Sequence, residues 1–103
     1  MIDNDEIVLE DAGAAVFSLE KAYRRAMRER DLTKMTELKP NLEEAVDQYS
    51  LGRLKLLEEG VIATDEDVAE LRRIRAEIDQ AASIQSLIEG AGSFVRFMAK
   101  LAV

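Results

Sequence analysis

A chain of 103 residues that is 48% apolar and 34% charged can pack a core, and is too apolar to be disordered. Its net charge of −7 argues against DNA or RNA as the main partner, since Lys and Arg supply most phosphate affinity. With no Cys and no His it lacks disulfides, thiolate chemistry, the commonest general base and the commonest nitrogen ligand for metals.

Five Gly and one Pro cannot supply a turn every ~8–12 residues, as a sandwich or barrel requires. The expected class is therefore all-α, in one domain over residues 1–103. No apolar run approaches the ~18 residues of a membrane span. The start, Met1-Ile2-Asp3-Asn4-Asp5-Glu6, is acidic where a secretory leader is basic, so a cytoplasmic protein is expected.

The first helix is predicted from Asp3–Asp5 to about Arg30. Leu9, Ala12, Val16, Leu19, Tyr23 and Ala26 recur at spacings of three and four, the stripe of an amphipathic helix. Acids crowd its first turn, while Arg24, Arg25, Arg28 and Arg30 crowd its end, each set suiting the helix dipole. Asp31 then caps a short turn through Leu38.

Pro40 disfavours helical geometry at Lys39 and suits the first position of a new helix, so a second long helix is expected from there. Leu42, Val46, Tyr49, Leu51, Leu54, Leu56 and Leu57 give it a broad apolar face. Gly52 marks a close helix contact or a kink, and Gly60-Val61 reads as a glycine C-cap with its hydrophobic contact.

Thr64 followed by Asp65-Glu66-Asp67 resembles a capping box and starts a third helix. Its stripe of Leu71, Ile74, Ile78, Ala81, Gln85 and Ile88 predicts a rod approaching ~40 Å at ~1.5 Å per residue. Glu70 is placed to pair with Arg73. Gly90-Ala91-Gly92-Ser93 then breaks or weakens the helix before a short C-terminal one. The whole is expected to be an antiparallel bundle of three long helices plus that short one, completed by self-association.

Chemistry-bearing constellations are few. Asp3-Asn4-Asp5 and Asp65-Glu66-Asp67 begin like calcium loops. Each has an apolar residue at the third ligand position (Ile7, Ala69) and no glycine at the sixth. The basic cluster before Asp31 suggests a helix-turn-helix, but no basic recognition helix follows. Arg72, Arg73 and Arg75 read as a solvated face among acids. No catalytic, cofactor-binding or metal-binding residue is assigned, and a non-enzymatic protein is expected.

The tail stands apart. From Ala81 to Val103 there is one acid, Glu89, and two bases, Arg96 and Lys100, among apolar side chains. Ala82, Ser86 and Gly90, four apart, could let a neighbouring backbone approach closely. The expected contact residues are Phe94, Phe97, Met98 and Leu101, with Ile84, Leu87 and Ile88 leading into them. This reading makes the chain an adaptor, partner-masking inhibitor or assembly subunit that binds a protein partner and self-associates, a dimer being favoured. The alternative is docking of the C-terminal helix at a membrane surface. A regulator of nucleic-acid processes, acting through a protein partner, ranks third.

Overall fold

Four side chains start four helices. The computed structural model describes residues 3–101, all of whose regular structure is helical. The helices are α1 (Asn4–Arg28), α2 (Leu32–Glu58), α3 (Asp65–Asp79) and α4 (Ile84–Leu101). Asp3 Oδ1 accepts from the Glu6 N–H at 2.9 Å and Asp31 Oδ1 from the Lys34 N–H at 3.0 Å. Ser83 Oγ accepts from the Ser86 N–H at 3.1 Å. At Thr64 the capping box is complete, because the Asp67 carboxylate also accepts from the Thr64 N–H at 2.9 Å. Each such cap stabilises its helix by roughly 1 kcal/mol.

The ends are equally specific. Gly60 takes φ +74°, and the Val61 N–H reaches back to the Lys55 carbonyl at 3.3 Å. Val61 itself packs against the core, as the glycine C-cap predicts. α1 closes in the same way without a glycine. Arg30 adopts φ 57°, and the Asp31 N–H donates to the Ala26 carbonyl at 3.0 Å.

Several expectations need correcting. Pro40 does not begin a helix: α2 starts at Leu32 and runs through it. Pro40 is exposed, and so is Thr36, whose carbonyl loses its partner and is left to water. Asp31 accordingly caps a helix of 27 residues rather than a short turn.

The third helix is also shorter than its stripe suggests. It spans 15 residues, and the chain turns through residues 80–83 before α4 starts. Gly90-Ala91-Gly92-Ser93 lies inside α4, which at 18 residues is longer than α3. Finally, Glu70 pairs with Lys100 at 2.9 Å and Arg73 with Glu77 at 3.5 Å, in place of a Glu70–Arg73 pair. Val103, counted with the apolar tail, lies outside the described residues, as do Met1 and Ile2.

The helices form a bundle with extents of 42 × 22 × 19 Å. α1 and α3 lie side by side and advance together: Asn4 Nδ2 donates to Asp65 at 2.9 Å, Arg75 reaches Asp11 at 2.7 Å, and Ser18 donates to Asp79 at 2.6 Å. α4 returns along α3, with Gly90 against Ile78 and Lys100 on Glu70. Among the described helices, α2 touches only α1 and α4.

Phe94, Phe97, Leu19, Leu38, Leu71, Met98 and Val8 are the largest fully buried side chains, each stabilising the fold by about 1.5–3 kcal/mol. Two glycines set the helix spacing. A Cβ on Gly52 would collide with Met98, and one on Gly90 would stand 2.8 Å from Ile78 Cγ1. Gly52 is thus the close contact between α2 and α4.

Candidate interaction surface

The buried stripe of α4 is Gly90, Ala91, Phe94, Phe97, Met98 and Leu101, spaced three and four apart. Four of the seven expected contact residues, Phe94, Phe97, Met98 and Leu101, therefore fill the core of the single chain. The tail is apolar because three other helices close over it. Arg96 and Lys100 hold its outer side, with Lys100 Nζ on Glu70 and Arg96 donating to Ser93 Oγ at 3.2 Å. The hydrogen bond from Lys100 to the Glu70 carboxylate raises the lysine pKa above its ordinary value.

Ile84, Leu87 and Ile88 are only partly buried. Ile84 and Leu87 line a groove of about 450 Å³ with Ala26, Leu38 and Ile78, where the end of α1 meets the start of α2 and the α3–α4 turn. Lys21, Arg25 and Lys34 alternate on its rim with Glu29 and Asp79, so it presents no single charge. Lys34 is already held by Glu29 at 3.9 Å and Asp31 at 3.8 Å. Of the seven residues, Phe94, Phe97, Met98 and Leu101 are core, Ile84 and Leu87 line the groove, and Ile88 is partly buried outside both sets. The Ala82–Ser86–Gly90 spacing does not form one seam either, because Ala82 lies in the turn and Gly90 packs internally on Ile78.

The polar clusters are spent inside the chain. Asp5 Oδ1 accepts from the Ala63 N–H at 2.8 Å, and Asn4 bridges to Asp65, tying the α2–α3 loop to the start of α1. Asp11, nearly buried, holds Arg75 at 2.7 Å and Arg72 at 3.5 Å, so two arginines of the supposed solvated face tie α3 to α1. Among the described residues no three potential metal ligands converge, and no helix is long and apolar enough to cross a membrane.

The free apolar surface is on α2. Its inner face is Leu38, Ala45, Gly52 and Leu56, all buried, with Leu42 and Tyr49 packed beside them. At 100° per residue Ser50, Leu51, Leu54 and the acids Glu43, Asp47 and Glu58 lie on the opposite side, with Val46 and Leu57 on one flank. Val46, Leu51, Leu54 and Leu57 are 39%, 49%, 48% and 60% exposed, far too open to serve the core. Ile62, in the loop just beyond, is more exposed still.

Sequence reasoning had grouped these leucines with Leu42, Tyr49 and Leu56 as one broad face. They form two faces, one packed and one bare. Other exposed apolar side chains are scattered, and Phe17 carries the Lys21 ammonium 5.0 Å above its ring. No protein-family model, curated protein or solved structure matches this chain.

Proposed function

We propose that this chain is a non-enzymatic helical interaction protein, acting in the cytoplasm as an adaptor, partner-masking inhibitor or assembly subunit. Its contact surface is the outer face of α2, and its occupant is an apolar helix of a protein partner. One observation carries the reading: Leu51, Leu54 and Leu57, with Val46 on the flank, lie exposed on a helix whose inner side already fills the core. Contiguous apolar surface with a charged rim is the usual mark of a protein-binding site. Two such leucine-rich stripes pack by the ridges-into-grooves geometry of ordinary helix pairs.

The acids Glu43, Asp47 and Glu58 among the leucines favour protein over anionic lipid or nucleic acid. Docking of α4 at a membrane would require Phe94, Phe97 and Met98 to leave the core, at the cost of their burial. The bundle itself is read as two antiparallel hairpins, α1–α2 and α3–α4, which leaves α2 with one uncovered side.

The test is position-resolved crosslinking in cells. A photoreactive residue in place of Leu54 is expected to give discrete protein adducts, and the same group at the exposed Ala76 of α3 none. Equal labelling from both positions, or no adduct from position 54, would refute the proposal.

A further inference from the structure

The positive charge of this acidic chain is gathered at one end of the bundle. Residues 21–39 hold seven of its fourteen Lys and Arg but three of its twenty-one Asp and Glu, a net +4 against −11 for the rest. They form the end of α1, the turn after it and the start of α2. The acids Asp3, Asp5, Glu6 and Asp65 stand at the opposite end of a body 42 Å long, where α1 begins.

This charge is not spent inside the chain. Among the described residues Lys21, Arg24, Arg25, Arg28 and Arg30 make no ion pair. The acids of the turn, Glu29 and Asp31, both lie on Lys34. Asp79, which shares a groove with Arg25, is held by Ser18 at 2.6 Å and Arg75 at 3.8 Å. The adjoining stretch from Gln80 to Ile88 carries no charge. The helix dipole accounts for about half a unit of charge at the end of α1, far less than is present. Arg30 also holds φ 57°, where glycine is the unstrained residue, so the turn keeps a cation at a conformational cost.

The helical repeat turns the charge outward. At 100° per residue Arg24 and Arg28 stand opposite the buried Ala26, with Met27 on one flank and Arg25 on the other. Met27 is 50% exposed, and Leu32, just past the turn, is 72% exposed.

We infer that the α1–α2 turn docks on an anionic lipid surface, with Arg24, Arg28 and Arg30 at the headgroups and Met27 and Leu32 entering the boundary beneath them. Basic residues beside exposed apolar side chains anchor proteins to membranes in this way. The inference stands apart from the reading of α2 as a protein contact. Arg24 lies about 6 Å along the helix from Arg28, within the ~8 Å screening length of physiological salt. The acidic end is several such lengths away. Met27 and Leu32 also stand outside the groove lined by Ala26 and Leu38, so their partner has to receive them without a shaped pocket. A deformable bilayer does so, whereas a phosphate backbone would gain nothing from Leu32.

The experiment is flotation of the full chain with vesicles. It should rise with phosphatidylcholine containing about 30% phosphatidylserine, stay behind with phosphatidylcholine alone, and be released at about 1 M salt. Arg28→Ala should weaken binding about fivefold, and Leu32→Asp about tenfold with unchanged circular dichroism. Arg30→Gly should also weaken it about fivefold although it relieves the backbone, a split that a structural role would not give. Arg53→Ala removes the same charge about 30 Å along α2 from Leu32 and should change binding by less than about twofold.

No flotation on anionic vesicles overturns the docking, and a salt-sensitive shift of duplex DNA weakened by Arg28→Ala would put nucleic acid in its place. Equal losses from Arg28→Ala and Arg53→Ala would overturn the turn as the site. Indifference to Leu32→Asp would overturn the entry of the apolar side chains.

Discussion

Truncating Phe94 tests whether the apolar tail is core or surface. Phe94 is fully buried on α4, between Ala91 and Phe97 in the core cluster. Phe→Ala at such a site costs ~3–5 kcal/mol, the lost transfer energy plus the residual cavity. A chain of 103 residues is stable by only about 5–15 kcal/mol, so Phe94→Ala should remove about a fifth or more of the total. The melting midpoint should fall by more than ~12 °C, at ~4–8 °C per kcal/mol for a domain of this size. Self-association would add its own stabilisation, so the measurement belongs in a Leu54→Asp background. The comparison is Leu57→Ala in that background. Leu57 is 60% exposed, and its loss should stay within about 0.5 kcal/mol. Urea unfolding followed by circular dichroism reads both. If Phe94→Ala costs less than ~1 kcal/mol at unchanged urea dependence, α4 does not fill the core and the assignment of surfaces is wrong.

Two further substitutions probe backbone packing. Gly90→Ala would gain ~1 kcal/mol of helix propensity in an open site. Here the new methyl meets Ile78 Cγ1 at 2.8 Å with the α3 backbone behind it at 3.6 Å, so overpacking of ~1–3 kcal/mol should give a net loss of roughly 1 kcal/mol. Thermal unfolding checks it, and an increase in stability would mean the α3–α4 approach is looser than described. Arg30→Gly should have the opposite sign. Arg30 holds φ 57°, which costs a residue with a Cβ about 1–2 kcal/mol. Glycine removes that cost but gains freedom in the unfolded chain, leaving a net gain of ~0.5 kcal/mol. A lower urea midpoint for Arg30→Gly would show that the Arg30 side chain stabilises the α1 end in some other way.

The starts of α1 and α3, and the cap at Asp31, were legible because caps are local. Asp3, Asp31 and Thr64 act within four residues of themselves, and Gly60 needs only its own φ. What depends on the rest of the fold was not legible. Pro40 reads as a start in any sequence, and only its place on the solvent side of α2 makes the missing hydrogen bond tolerable. The turn at residues 80–83 is hidden because Ala81 and Ala82 are good helix formers and the three–four stripe carries across them. The chain leaves the helix there so that α4 can fold back with Gly90 on Ile78, a contact between residues twelve apart. The one available local sign was Ser83, which caps α4 through the Ser86 N–H.

The same distinction governs the surface. Composition points to an excess of apolar side chains and assigns it to the tail, where density in sequence is highest. Density along the chain does not measure exposure. A helix packed by three neighbours can bury Phe94, Phe97 and Met98 together, while a helix touching two neighbours leaves part of its circumference bare. α2 is the second kind, and its leucines lie on both its inner and its outer side. Once Ala45, Gly52 and Leu56 mark the inner side, the outer side follows from the helical repeat alone. The small residues Ala45 and Gly52, which show which face is inward, do so only through the helices packed against them.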